Sequence, residues 1–119
     1  MTFDWIHGPL AKGLRHYNTG EFFAAHEAWE SVWLTAPQPE KLFLQGLIQV
    51  TVAFHHLQRS NSLGTSRLLT AALGKLEPYP GDFAALNVTL LRGDVRERIE
   101  FLSRDQAGTQ MTPPRIQLL

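Results

Sequence analysis

With 119 residues, 44% of them hydrophobic, the chain is sized for one domain with an ordinary buried core. Basic and acidic residues cancel to a formal charge of +0, so the basic footprint of a nucleic-acid binder is absent. The chain has no cysteine, which excludes disulfides, thiol catalysis and thiolate metal sites.

Phe3 and Trp5 open the chain as apolar anchors, with no basic region or apolar run of a signal peptide. Gly8-Pro9 predicts a helix start, and Leu10, Leu14 and Tyr17 repeat at helical spacing, so a first helix runs to about Tyr17. Asn18 is placed to end it and to cap the next, with Glu21 three residues on in the spacing of a capping box. A second helix is expected from about Thr19 to Leu34, stopped by Pro37 and Pro39.

The third helix begins near Gln38 or Glu40 and runs to about Arg59. Phe43, Leu47, Val50 and Phe54 form one apolar stripe, and Leu44, Ile48 and Thr51 form another. A helix apolar nearly all round is enclosed by others, so this one is predicted to be central. Its uncharged run, Leu42 to Leu57, carries Gln45, Gln49, His55 and His56 and is too short and polar to span a bilayer. A cytoplasmic protein is the default expectation.

Ser60-Asn61-Ser62-Leu63-Gly64 is a short connection, and a fourth helix from about Ser62 to Leu76 turns Leu68, Leu69, Ala72, Leu73 and Leu76 inward until Pro78 and Pro80-Gly81 stop it. The stretch Asp82 to Leu86 is ambiguous. Asn87 caps a last helix built on Val88, Leu91, Val95, Ile99 and Leu102, with Gly93 weakening its middle. Arg92, Arg96 and Arg98 alternate with Asp94, Glu97 and Glu100 as a solvated face. Residues 105–119 hold Gly, Thr and two prolines and are not helical. Ile116, Leu118 and Leu119 nevertheless need cover, from the body or from a neighbouring copy. The expected fold is all-α: a single domain over 1–119, a compact bundle of about five helices with its core over about 9–103, a central helix over about 40–59 and an extended C-terminal tail.

Residues three or four apart share a helix face, so Phe22, His26, Glu30 and Trp33 stack on one side of the second helix, with Glu27 adjacent. On the third helix Gln45, Gln49 and His56 share a face, beside Gly46 and Ala53, which allow another helix to come close. The two stripes are expected to meet. Three readings of that meeting compete. It is a satisfied core network that fixes the bundle register. It is a divalent metal site, since His26-Glu27-x-x-Glu30 has the outline of a zinc-hydrolase helix and His56 supplies a third ligand. Or it is a small-ligand or acid–base site using the same residues, with His26 and Glu30 as catalytic candidates. Trp29 and Trp33 are core or interface anchors, and Trp33 walls a pocket on the polar face. A charged content of only 18% also leaves room for a homodimer or a protein-interaction module, in which Trp29, Ile116 or Leu118 lies in the contact.

At these residues a family resemblance emerges. Tyr17-Asn18-x-Gly20-Glu21-Phe22-Phe23-x-Ala25-His26-Glu27-x-Trp29-Glu30-x-x-Trp33 and Phe43-Leu44-Gln45-Gly46-Leu47-Ile48-Gln49-Val50-x-Val52-Ala53-Phe54-His55-His56-Leu57-Gln58-Arg59-x-Asn61-x-x-Gly64 resemble the two signatures of the prokaryotic domain-of-unknown-function family numbered three hundred and nine. The resemblance implies a compact helical domain around one central helix and supplies no activity. It marks His26, Glu30 and Trp33 in the first segment and Gly46, Gln49 and His56 in the second. Ser60, where a glycine is usual, and Thr65, where an alanine is usual, depart from its pattern. A looser likeness of Gly20, Phe22, Ala25, Trp29 and Pro37 to half of a tetratricopeptide repeat lacks that repeat's period and reads as shared helix-hairpin packing.

Overall fold

The computed structural model describes residues 1–104 and 111–119 and folds as an all-α bundle of five helices. These are α1 (Gly8–Asn18), α2 (Phe22–Trp33), α3 (Glu40–Gln58), α4 (Ser62–Leu76) and α5 (Val88–Ser103). Among the described residues the only extended pairing is an isolated antiparallel bridge between Leu86 and Leu118. No helix among them is long and apolar enough to cross a membrane.

The centre is α3. Phe43, Leu44, Leu47, Val50, Ala53 and Phe54 are fully buried, because α2 covers one flank of α3 and α4 the other, while α1 packs on α2 and α5 on α4. The small residues of α3 serve α4. A Cβ on Gly46 would lie 2.9 Å from Leu76 Cδ2, and Thr65 donates from its hydroxyl to the Ala53 carbonyl at 3.0 Å. Gly46 and Ala53 therefore admit α4, on the side away from the polar seam they were expected to flank. Thr65 departs from the family's alanine without leaving a bare hydroxyl, since Asn61 O also accepts from it at 2.9 Å.

The link between α1 and α2 differs from the expected capping box. Asn18 is the last residue of α1, and Gly20 (φ +82°) ends the helix in a left-handed turn. The Glu21 N–H donates back to His16 O at 2.8 Å and the Gly20 N–H to Tyr17 O at 3.0 Å, the two bonds of a Schellman cap. The chain then restarts at Phe22, three residues after the predicted start. Glu21 sits at the N-cap without capping; its carboxylate accepts from Thr19 Oγ1 at 2.9 Å and lies 3.3 Å from His16 Nδ1, contacts that lower its pKa. Asn87 caps as expected, accepting from the Leu90 N–H at 3.1 Å.

The same Schellman geometry ends α3, with Asn61 N–H to His56 O at 2.9 Å and Ser60 N–H to Leu57 O at 3.0 Å. Here the left-handed position is held by Ser60, at φ +60°. A side chain there costs about 1 kcal/mol, which glycine avoids. Ser60→Gly is therefore expected to raise the unfolding free energy by roughly 0.5–1 kcal/mol, read as a higher urea midpoint at unchanged slope.

The ambiguous stretch is a 3-10 turn over Phe83–Ala85, held by both ends of the chain. Trp5 Nε1 donates to Ala84 O at 2.8 Å and the Leu119 N–H donates to Ala85 O at 2.9 Å. The tail lies on its own body: Ile116 is 2% exposed, and the Tyr17 hydroxyl donates to Pro114 O at 2.7 Å. The cover that Ile116 needs comes from the chain itself, and the fully buried Trp29 is a core anchor. The expectation for residues 105–110 lies outside the described residues.

Burial pushes the Tyr17 phenol well above its ordinary pKa; the Arg98 charge opposes the shift and Asp94 adds to it. An unfolded tyrosine ionises near pH 10, while the folded one keeps its proton, so the unfolded chain loses a proton first. Stability from this group is present below about pH 10 and lost as pH rises beyond it. Thermal melts from about pH 8 to 11 should fall more steeply for the wild type than for Tyr17→Phe; Tyr79, also shifted upward by burial, acts equally in both.

Candidate functional site

The two polar stripes do meet, in an antiparallel seam between α2 and α3. At one end Trp33 and Glu30 line a cleft of ≈ 240 Å³ with Gln45, Ile48 and Gln49. In the middle His26 lies beside Val52, and next to it the rings of Phe23 and His55 meet at a tilt with centroids 5.8 Å apart. At the far end Gln58 Nε2 donates to Gly20 O at 2.9 Å. The seam thus uses Phe23, His26, Glu30 and Trp33 against Gln45, Ile48, Val52 and His55. Both series alternate steps of three and four residues, as in a coiled-coil seam.

That spacing decides which predicted residues arrive. Extending α3 from Gln45 and Gln49 by a further seven residues leads to His56, whereas the seam drifts to His55. His56 lies at the α3–α4 corner instead, its Nδ1 3.3 Å from Asn61 Nδ2. Phe22 is buried in the core and still walls the pocket around His26, while Phe23, 57% exposed, stands beside it. Glu27 faces the groove between α1 and α2, with Lys12, His16 and Ser31. Among the described residues no three His, Cys, Asp or Glu side chains form a metal-holding group, so His26, Glu30 and His56 are not gathered as one.

His26 Nε2 stands 2.7 Å from Glu30 Oε2, one turn apart on α2, and both groups are partly open to solvent. Beside them Trp33 carries the Lys41 ammonium over its ring, 4.5 Å from the centroid. Two buried atoms of the cleft-lining residues are unusual. Trp33 Nε1, a donor, and Gln49 Oε1, an acceptor, are both buried and have no hydrogen-bond partner among the described residues. Leaving such groups dry and unpaired costs about 1–3 kcal/mol each. Periodicity places both residues at the seam, but no sequence signal shows that their polar atoms go unpaired.

A protein from Aquifex aeolicus (strain VF5), described as "Uncharacterized protein", is 31% identical over 85 residues, covering 71% of this chain and 24% of that protein. "Uncharacterized protein YpuF" of Bacillus subtilis (strain 168) is 33% identical over 60 residues, covering 50% of this chain and 34% of its own length. The chain thus spans about a quarter and a third of these relatives. Residues 10–68, holding α1, α2, α3 and the start of α4, match the family described as "Domain of unknown function (DUF309)". Both quoted signatures fall in that span, with the seam they build, and over it the chain matches the DUF309 family.

Proposed function

We propose that the domain binds a small neutral molecule in the cleft between α2 and α3. The observation that carries this reading is the pair of orphaned buried polar atoms, Trp33 Nε1 and Gln49 Oε1, on two residues that line one cleft. A satisfied core network would pair them. Their unpaired state is a cost to the empty fold that a ligand relieves, so it adds to binding. One unpaired donor and one unpaired acceptor on residues of the same cleft complement a ligand that both accepts and donates, as a primary amide, urea or lactam does. At ≈ 240 Å³ the cleft suits a compact ligand, below the usual range for drug-sized molecules. Glu30 lines the cleft, and His26, paired with it from the neighbouring pocket, completes a polar pair able to orient the ligand or move a proton.

A fragment screen by NMR tests the proposal. Small amides, ureas and lactams should shift the Trp33 indole N–H together with the Gln45 and Gln49 side-chain amides, and Gln49→Leu should abolish the response. Fragments that shift only residues outside the cleft, or none that shift it, contradict the reading.

A further inference from the structure

The C-terminal segment is held as an extended peptide is held in a groove. Pro114 and Ile116 are buried while Arg115 and Gln117 are exposed, the period-two alternation of a strand. The Asn18 side-chain amide pairs with the Ile116 backbone in both directions, accepting from its N–H at 3.0 Å and donating to its carbonyl at 3.0 Å. The Tyr17 hydroxyl donates to Pro114 O, and the Asn87 N–H donates to Gln117 O at 2.8 Å. These bonds read the segment's backbone, and the slot for Ile116 reads its side chain, the division of labour of strand-addition peptide sites.

The segment does not fill its groove. Clefts of ≈ 360 Å³ and ≈ 130 Å³ flank it, the larger floored by Phe22, Phe54 and Leu57. Its apolar anchoring is sparse beside its hydrogen bonds: Ile116 is its one deeply buried large side chain, and Leu118 and Leu119 are exposed. Such a segment opens at lower cost than the helices. Groove and occupant belong to one chain, so every second copy carries a matching pair. We propose that the groove formed by Tyr17, Asn18 and Asn87 is an extended-peptide site that takes the C-terminal segment of a second copy in place of its own, joining two copies by exchange of tails. This site is separate from the α2–α3 cleft and stands without it.

Two full-length variants test the exchange. Ile116→Asp spoils the tail and keeps the groove; Tyr17→Phe with Asn18→Ala spoils the groove and keeps the tail. With both helical by circular dichroism, sedimentation should show a 1:1 complex in their mixture and monomers for each alone. A labelled peptide of residues 111–119 should bind the Ile116→Asp chain saturably and about tenfold or more tighter than the groove variant. Monomers in the mixture, at concentrations where the peptide saturates, overturn the exchange. Equal peptide binding to both variants overturns the groove. The wild type gives a readout free of mutation: a concentration-dependent dimer that excess peptide dissociates, with monomers at all concentrations as the overturning result.

Discussion

Replacing Gly13 with alanine should destabilise the protein by about 2 kcal/mol, although the same change at an open helical site is stabilising. Gly13 lies in the middle of α1, where alanine is normally favoured by up to about 1 kcal/mol. Here a Cβ would sit 2.3 Å from Trp29 Nε1 and 2.4 Å from Trp29 Cδ1. The indole cannot yield. Trp29 is 0% exposed, and its Nε1 donates to Leu10 O at 3.1 Å, a bond that also fixes it along α1. Either the tryptophan leaves its partner or α1 lifts from α2. Gly93→Ala in α5 is the control: nothing lies within 4 Å of its Cβ position, so a gain of about 0.5–1 kcal/mol is expected. Urea titrations of the two variants should move in opposite directions. A gain at Gly13 would mean that Trp29 does not pack on α1.

Phe43→Ala should cost about 3–5 kcal/mol, the range for emptying a buried aromatic site. Phe43 is 0% exposed and sits where three distant parts of the chain meet. Its ring centroid lies 5.9 Å from Phe3, 5.1 Å from Tyr79 and 4.7 Å from Phe83. Phe3 in turn stacks on Trp5 at 5.7 Å. Removing the central ring opens a cavity and loosens the N-terminal arm and the 3-10 turn together, so neither collapses easily into the space. Urea unfolding should show the loss, and exchange of the Trp5 indole N–H should accelerate beyond the global change. A loss below about 1 kcal/mol would show that the aromatic cluster is not a core element.

These two positions mark what the sequence discloses and what it hides. Helical periodicity places α1, α3, α4 and α5 within a residue or two, and the apolar girdle of α3 identifies the central helix. Local chemistry suffices there because each helix carries its own pattern. Gly13 shows no pattern, because its role depends on Trp29 in another helix. The meeting of Phe3, Tyr79 and Phe83 around Phe43 is likewise tertiary. At the candidate site, spacing finds His26, Glu30, Trp33, Gln45 and Gln49. It misassigns His56 because a face drawn on a straight helix ignores the slow drift of a seam between two crossing helices, which brings His55 round. The second left-handed turn, at Ser60, is masked by the absence of its usual glycine.

Whether the polar seam is an incompletely paired site or a satisfied core is measured most directly by the unfolding free energy of Gln49→Leu. Leucine of similar size removes an orphaned buried acceptor, so stability should rise by about 1 kcal/mol while fragment binding disappears. A loss of about 1 kcal/mol or more would mean that the fold itself pairs the Gln49 amide, and would contradict the proposed site.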